Sequence, residues 1–380
     1  MRTCTLDGVD VSVINSRLRA GAERADPAVI RENAGKSFVG SYVLGMGFTL
    51  TPDERNALVK EDERNAARIF PYLGGEEINT SPTQIFDRYV INFGAMSLEQ
   101  AQGWPDLLAI VQKEVKPDRE RLANNPDGRR RKAFWWQFGR GTPALERAIA
   151  PLSRCLVTSR VTKHLCFSFQ PTDRVLSEGV LVFALDLYAH FAVLQSRVHE
   201  GWARLLSSSM KADLRYAPSD CFETFPFPLR TALSALEQPG EAFYGARGRY
   251  MRDENVGLTT TYNRMRDSAV TDGPIEELRA LTVAMDRAAL IAYGWGDLAP
   301  PPFTSPNTDD EKRALSLFED TVIDRLFALN AERAKAQGGT AARASDGDDQ
   351  DASPAIDKPA KRGRTTKTKT SAAARTKKPA

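Results

Sequence analysis

The spacing of apolar residues changes along this chain, and the change falls between residues 216 and 228. Before it, Phe38–Leu50 (FVGSYVLGMGFTL) and Arg88–Phe93 (RYVINF) are rich in β-branched and aromatic residues, which predicts strands with a bulge or tight turn at the glycines. Leu156–Phe169 and Arg174–Leu185 also predict strands. The run GVLVFAL in the last segment indicates a strand buried on both faces.

Helix signals separate these strands. Thr51 can cap a helix that runs through Val59, because Glu54 follows it at the spacing of a capping box. Residues 98–115 predict a helix that ends at Lys116–Pro117, and Thr142–Pro143 begins another. Residues 188–206 also have a helical pattern.

After residue 228 the apolar spacing is helical throughout. Leu278, Leu281, Met285 and Ala289 recur at intervals of three and four residues, which predicts one helical face. Asp272 can cap this helix. The C-terminal half of the folded body is therefore predicted to be helical.

The segment between the two patterns, Tyr216–Pro228, reads YAPSDCFETFPFP. Its two Phe-Pro pairs exclude a regular helix or a central strand, because each proline lacks an amide donor and holds its predecessor extended. We therefore interpret this segment as a boundary between regions.

These patterns predict an α+β protein in four parts. The parts are an N-terminal lead-in (1–34), a mixed α/β region (35–228), a helical C-terminal domain (229–330) and a disordered basic tail (331–380). The tail is predicted to be disordered because Ile356 is its only large aliphatic residue after Leu329. It is either a segment that binds polyanions or a solubilising one.

The composition excludes several classes of protein. The 380 residues are 42% hydrophobic and 27% charged, and they contain neither a membrane-length apolar run nor a signal-peptide core, so no membrane partner is expected. The four cysteines stand singly, without a CxxC pair, which favours a reduced, cytoplasmic protein. With three histidines in the chain, no metal site is predicted.

The net charge of +3 conceals an uneven distribution. From Ser353 to Ala380, six Lys and three Arg face one Asp, so this stretch carries +8 and the rest of the chain −5. Affinity of the folded body for nucleic acid therefore has to come from local clusters.

Familiar catalytic motifs are incomplete here. Gly35–Lys36–Ser37 lacks the first glycine of a phosphate loop, and Leu50 replaces the third glycine of GxGxxG after Gly45. His199–Glu200 lacks the second histidine of a zincin helix, and no GxSxG elbow occurs. No catalytic residue is predicted.

A first local cluster is strongly basic. Between residues 116 and 140 there are eight Lys or Arg and three Asp or Glu. The run Arg129–Arg130–Arg131–Lys132, followed by Arg140, predicts contacts to DNA phosphates, the alternative being a solvated loop. The neighbouring Trp135 and Trp136 are interpreted as core anchors rather than stacking platforms for bases.

A second cluster, Thr158–His164, combines side chains that can donate to base edges with small hydroxyls. Arg160, Thr162, Lys163 and His164 are the candidates for base readout, since Arg can fork to guanine and Thr can donate or accept. A polar strand face explains the pattern equally well.

Segments of the chain, in order, resemble the C-terminal half of MmeI-like DNA methyltransferases, which include type IIG restriction-modification enzymes and phage-defence adenine methyltransferases. The resemblance covers roughly residues 30 to 300 and rests on KSFVGSYVLGMGFTLTPDE, IFPYLGGEEINTSPTQIFDRYVINF, VKPDR, WWQFG, SRVTKHL, LRYAPSDCFETFPFP, GLTTTYNRM and LTVAMDRAALIAYGW. It implies that Phe70–Asn79 enters a DNA target recognition domain (35–228), that Ser219–Pro228 leaves it, and that a helical domain follows.

The chain departs from that family at its catalytic parts. The family's Asn/Asp-Pro-Pro-aromatic motif has as its nearest counterpart Ala299–Phe303 (APPPF), and the glycine-rich S-adenosylmethionine loop is missing. The resemblance therefore implies a chain that recognises double-stranded DNA and that comes from a split gene, from a truncated copy or from a specificity subunit with a separate methyltransferase catalytic chain. S-adenosylmethionine is expected on the missing or partner catalytic domain.

The leading hypothesis is thus sequence-specific DNA recognition for an adenine-N6 methyltransferase, without catalysis by this chain. A protein-interaction module that touches DNA only through its tail is the main alternative. An active methyltransferase with unrecognised motifs and a decayed remnant also stay open.

Overall fold

The computed structural model describes residues 4–6, 9–11, 13–14, 25–210 and 213–338. The strands of this part are β1 (Cys4–Leu6), β2 (Val9–Val11), β3 (Ser37–Val39), β4 (Thr49–Leu50), β5 (Ile69–Leu73), β6 (Arg88–Ile91), β7 (Arg154–Ser159), β8 (Val161–Thr162), β9 (Ser168–Pro171), β10 (Val175–Leu176), β11 (Val180–Phe183), β12 (Ser208–Met210) and β13 (Asp213–Arg215). The α-helices are α1 (Pro52–Glu61), α2 (Gly75–Thr80), α3 (Leu98–Ala101), α4 (Pro105–Glu114), α5 (Lys116–Glu120), α6 (Pro126–Ala133), α7 (Pro143–Ile149), α8 (Tyr188–Gln195), α9 (Arg197–Leu206), α10 (Arg230–Leu233), α11 (Glu237–Asp253), α12 (Leu258–Arg266), α13 (Gly273–Ala292) and α14 (Asp309–Ala336).

Two four-stranded sheets form the mixed region. The first has the order β10-β5-β6-β4 and the second β3-β11-β7-β9. All pairs are antiparallel except β10 with β5, where Val175 pairs with Tyr72. A smaller sheet, β12-β13-β8, lies beside the second, and β1 pairs with β2 in a hairpin.

The chain crosses from one sheet to the other at Gly40. Its amide donates to the Val180 carbonyl of the second sheet (2.9 Å), while the next residue, Ser41, bonds the Leu176 carbonyl of the first (2.7 Å). A Cβ at Gly40 would lie 2.1 Å from the Ser177 carbonyl oxygen. Only glycine allows this close approach of two backbones.

The two sheets contribute to two hydrophobic cores, and Leu73 and Leu176 of the first sheet belong to the core of the second. The first packs with α4, Trp135, Trp136 and Phe138, which we call the tryptophan core. Both tryptophans are at most 8% exposed, so their interpretation as core anchors is confirmed. The second sheet shares its core with helices α8, α9 and α11–α14, and we call this the shared core.

Most predicted elements are present. Thr51 and Glu54 form a complete capping box at α1, and β6 lies within the predicted strand at 88–93. All four residues of β11 are fully buried, as the run GVLVFAL indicated. Asp272 caps α13 by accepting from the Ile275 amide, at 3.0 Å.

Two helix predictions are wrong in their extent. Residues 188–206 form two helices, α8 and α9, with Ser196 in an extended conformation between them. Residues 98–115 form two helices, α3 and α4, because the chain turns at Gly103–Trp104 and Pro105 begins a new helix. Lys116–Pro117 then begins α5 instead of ending a helix. A proline fits the first turn of a helix, where its missing amide has no intrahelical partner.

The boundary segment 216–228 is held by buried contacts. Pro218–Phe222 forms one turn of π-helix, and Phe225 is fully buried. The side-chain amide of Asn33 donates to the carbonyls of Phe222 (2.9 Å) and Phe225 (2.7 Å), so the lead-in is hydrogen-bonded to this segment. Beyond Pro228 the described chain is helical, so the predicted mixed α/β region followed by helices is confirmed.

The last helix is longer than predicted. α14 ends at Ala336, six residues past the predicted end of the helical region at 330. Ala, Glu, Arg and Lys in this stretch are good helix formers, and buried Asn330 anchors it by donating to the carbonyls of Ala28 (2.8 Å) and Thr224 (2.7 Å). The rest of the predicted tail lies outside the described residues.

The described helices include none long and apolar enough to cross a membrane. Nor do the described residues bring together three His, Cys, Asp or Glu side chains as a metal site would require. The four cysteines are free thiols.

Candidate nucleic-acid interface

Helix α6 carries the predicted run of four cations. Pro126 is its first residue, and Asn125 caps it, because the Asn125 side chain accepts from the Gly128 amide (2.7 Å). Consecutive helical residues point about 100° apart, so the four side chains spread around the axis.

The four cations of α6 have different surroundings. Exposed Arg129 donates to the Asn124 carbonyl (2.9 Å), and Arg130 donates to the Gly139 carbonyl (2.5 Å). Arg131 pairs with Asp127, and Lys132 is half-buried near the end of the helix. Their predicted contacts to phosphate stay a prediction.

A buried arginine adds to the positive charge at this helix. Arg119 is 2% exposed and donates to the carbonyls of Val43 (3.2 Å) and Leu44 (3.3 Å). Burial, with the nearby charges of Arg131 and Arg130, lowers its pKa to about 10. An anion bound at α6 would relieve the repulsion among these guanidinium groups.

Tyr42 connects the two predicted clusters. The Arg140 guanidinium lies over its ring at 5.4 Å from the centroid, and Arg160 Nη1 donates to its hydroxyl at 3.3 Å. Our reading of the sequence missed Tyr42, because a tyrosine in a predicted strand carries no signal of its own. These contacts span 98 and 118 positions of the chain and only the folded structure shows them.

The loop after β8, Lys163–Phe167, holds the remaining candidates, and we call it the reading loop. Lys163 is exposed, and its Nζ donates to Asn263 Oδ1 (2.7 Å). His164 Nε2 contacts the same oxygen (2.9 Å), and its ring stacks on Tyr262 at a centroid distance of 5.9 Å.

Thr162 differs from the other candidates for base readout. It is 5% exposed, and its hydroxyl donates to the His164 carbonyl at 2.8 Å. This contact stabilises the reading loop from below. Base readout by Thr162 stays a prediction, and it would require this hydrogen bond to be exchanged.

A polar cleft of about 640 Å³ opens between the reading loop, α9 and α12. Glu200 lies in its wall, paired with Arg204 (2.8 Å) and Arg266 (3.0 Å). Burial alone would raise the pKa of this carboxyl, but the two arginines hold the pKa below its ordinary value. Glu200 is therefore ionised and fixes both arginines.

The surroundings of His164 favour its neutral form. Burial lowers the pKa of its imidazole, and the charges of Arg266 and Lys163 lower it further, against the opposing effects of Asn263 and Glu200. A neutral imidazole offers both a donor and an acceptor nitrogen.

These contacts join most predicted residues into one path. Arg130 contacts Gly139 beside Arg140, Tyr42 links Arg140 to Arg160, and Arg160 and Lys163 line one cleft of about 670 Å³. We call this the contact track, and its members are Arg130, Arg140, Tyr42, Arg160, Lys163 and His164.

The turn between β5 and α2 has one feature of a cradle for S-adenosylmethionine, because Gly74–Gly75 follows a strand and opens a helix. A Cβ at Gly75 would lie 2.9 Å from the Gly179 carbonyl oxygen and 3.0 Å from the Ser159 hydroxyl. A Cβ at Gly74 would lie 2.7 Å from the Glu77 carboxylate. Both glycines thus pack against the protein itself, and this turn does not fit a methyl-donor site.

The chain thus combines a mixed α/β region, which carries a basic helix and a polar loop, with a helical region that follows it. Residues 33–229 match the family described as MmeI, target recognition domain. The match spans more than half of the chain, so the chain belongs to this family.

The fold is also similar to that of a solved structure, the type IIL restriction-modification enzyme MmeI in complex with DNA. The TM-score is 0.63 at 19% sequence identity, over 86% of this chain. The chain spans 39% of the length of that enzyme. No curated protein matches this sequence.

Proposed function

We propose that this chain recognises a sequence in double-stranded DNA for an adenine-N6 methyltransferase of a restriction-modification or phage-defence system. Three findings support the proposal. The chain belongs to a target recognition family, its fold resembles that of an enzyme solved with DNA, and five of its nine predicted contact residues lie on the contact track. The contact track carries the argument, because phosphate contacts position a protein on a duplex and base contacts specify the sequence.

The two predicted clusters have different proposed roles. Arg129–Lys132 on α6, with Arg140, contact phosphates and supply salt-dependent affinity. Arg160, Lys163 and His164 contact base edges, and a good bidentate pair discriminates by about 1–3 kcal/mol. Arg160 is suited to this role because Tyr42 fixes its guanidinium.

Alanine variants separate the two roles. Alanine at residues 129–132 weakens binding to all duplexes alike. It reduces the magnitude of the negative slope of log Kobs against log[salt] by about 0.9 for each cation that contacts phosphate. Arg160→Ala relaxes the preference at one base position and leaves the other positions unchanged. Binding of labelled duplexes across salt concentrations measures both effects.

Arg249→Ala is the matched control, because Arg249 is an exposed arginine on α11 outside the contact track. It should bind like the parent chain. If both sets of track variants also bind like the parent at every salt concentration, the assigned roles are wrong.

We further propose that the methyl donor is bound outside these 380 residues. The purified chain should then transfer no label from S-adenosylmethionine to DNA, and adding a catalytic chain of the same system should restore transfer. Transfer by the chain alone would overturn this part of the proposal and leave DNA recognition in place.

Removal of residues 353–380 distinguishes recognition from a protein-interaction module that touches DNA through its tail. Under the proposed function the shortened chain keeps its sequence preference and loses part of its non-specific affinity, because nine cations are removed. Complete loss of sequence preference would instead identify the tail as the DNA contact.

A further inference from the structure

The reading loop is held from beneath by side chains of the helices that follow it. Gln195 of α8 accepts from the Phe167 amide (2.9 Å) and donates to the Leu165 carbonyl (3.0 Å). Arg247 of α11 donates to the Phe167 carbonyl at 2.7 Å. Both side chains are buried, so these hydrogen bonds are shielded from competition by water.

The same support reaches His164. Arg247 Nη1 donates to the Tyr262 hydroxyl (3.1 Å), and the Tyr262 ring stacks on the His164 imidazole. On the other side, Arg204 of α9 donates to the Lys163 carbonyl at 3.3 Å. The backbone of the loop is therefore fixed on both sides of exposed Lys163 and half-buried His164.

Asn263 contacts both the Lys163 ammonium and the His164 imidazole, two of the groups proposed to contact bases. An ammonium group can only donate, so the Asn263 atom 2.7 Å from Lys163 Nζ is the amide oxygen. His164 Nε2 lies 2.9 Å from this oxygen and must donate to it. In a neutral ring the proton then resides on Nε2, and Nδ1 is the acceptor.

We infer that Asn263 of the helical region is a positioning residue for sequence readout: its amide oxygen sets the direction of the Lys163 ammonium and the tautomer of His164. The inference rests on the proposed function and extends it, because it assigns part of the specificity to a residue outside the segment 33–229 that matches the recognition family. The residue acts through Lys163 and His164 and needs no base contact of its own.

Selection from a duplex library with randomised sites tests this role. Asn263→Ala removes the oxygen and should lower the preference at one base position about tenfold, within the range of a bidentate contact. Asn263→Asp keeps an oxygen at this place and should retain that preference. Because Asn263 is exposed, both variants should fold and melt like the parent.

Asn307→Ala is the matched control. Asn307 lines the same cleft, but its amide donates to Ser268 (2.6 Å) and contacts neither candidate. This variant should select the same sites as the parent. The slope of log Kobs against log[salt] should be equal for Asn263→Ala and Asn307→Ala, and only Asn263→Asp should change it, because this variant adds a charge.

The titration of His164, followed by NMR, provides a second readout that needs no DNA. The groups that face this imidazole are Asn263, Arg266, Lys163 and Glu200, and the hydrogen bond that the imidazole donates to the Asn263 oxygen raises its pKa. Asn263→Ala should therefore lower the pKa of His164, Asn263→Asp should raise it, and Asn307→Ala should leave it unchanged.

The outcomes separate the inference from the function on which it rests. Unchanged site selection and an unchanged His164 titration in Asn263→Ala would overturn the inference and leave DNA recognition standing. A parent chain that selects no sequence would overturn the proposed function, and the readout role of Asn263 with it.

Discussion

At the scale of single residues, the ring and the hydroxyl of Tyr42 serve different partners. The ring carries the Arg140 guanidinium, which we assign to phosphate, and the hydroxyl accepts from Arg160, which we assign to base readout. One side chain thus fixes the distance between the two kinds of contact, and substitutions can separate its two functions.

Tyr42→Phe should reduce discrimination without changing the salt dependence. The variant keeps the ring beneath Arg140 and loses a hydrogen bond of about 0.5–1.5 kcal/mol, or roughly 2- to 10-fold in base preference. Tyr42→Ala should reduce both base preference and affinity at low salt. Titrations of matched and mismatched duplexes measure this, and an equal loss on every duplex for Tyr42→Phe would contradict it.

The residues that the sequence indicated lie close together along the chain, whereas those that it did not indicate lie far from their partners. Arg160, Lys163 and His164 form a local cluster of donors, so their chemistry is visible in a short window. Asn263 lies 100 positions from Lys163, and Tyr42 lies 118 positions from Arg160. Such contacts depend on the paths of distant segments, which local patterns do not encode.

At the scale of elements, Gly40 determines how the two sheets meet. Gly40→Ala should lower the free energy of unfolding by about 1–3 kcal/mol, because the new methyl group would collide with the Ser177 backbone. Gly141→Ala is the control, since its Cβ would meet only Pro143 Cδ at 4.0 Å and should change stability by less than about 0.5 kcal/mol. Denaturant unfolding compares them; equal stabilities would contradict this account of the crossing.

His199 of α9 packs against the boundary segment and makes the free energy of unfolding sensitive to acid. His199 is fully buried against Phe225, its Nε2 lies 2.9 Å from the Tyr216 hydroxyl, and burial lowers its pKa to about 3. In the unfolded chain its pKa is about 6.5. As the pH falls between these values, only the unfolded state takes up this proton, so stability falls.

His199→Gln should therefore have a shallower acid dependence than the parent. Between about pH 6 and pH 4 the parent should lose about 1.4 kcal/mol more per pH unit than the variant. His164 and His190 are present in both chains and cancel in the comparison. Unfolding in denaturant at pH 6.5, 5.5 and 4.5 provides the measurement, and parallel losses would show that His199 does not carry the effect.

Helices and strands with a strong local sequence pattern were predictable, whereas the residues at which helices begin and end were less predictable. The capping box of α1 and the buried strand β11 follow from short windows of sequence. The apolar spacing of 98–115 continues across the turn at Gly103–Trp104, so periodicity alone could not show that Pro105 begins a new helix.

At the scale of the whole molecule, the recognition and helical regions share one core. Phe191 and Trp202 on the recognition side pack in the same cluster as Phe243, Leu278 and Leu326 on the helical side. The proposed boundary at 228 therefore separates the chain in sequence while its hydrophobic core continues across it.

A chain truncated after Pro228 should fail to unfold cooperatively, because it would expose the surface of the shared core. A chain truncated after residue 338 should melt close to the parent, since the removed sequence has too few large apolar residues to form a core. Circular dichroism melts compare the two. Cooperative unfolding of the shorter chain would show that the recognition region folds alone.

Gln195 and Arg247 donate to or accept from the backbone of the reading loop, and these hydrogen bonds bear on how new specificities can be obtained. A chimera that received only residues 162–167 from a relative would place foreign side chains on a backbone held by Gln195 and Arg247 of the host. We therefore expect exchange of specificity between relatives to work best when α8, α11 and α12 are carried together with the loop. Evolution by recombination would be expected to transmit them as one inherited block.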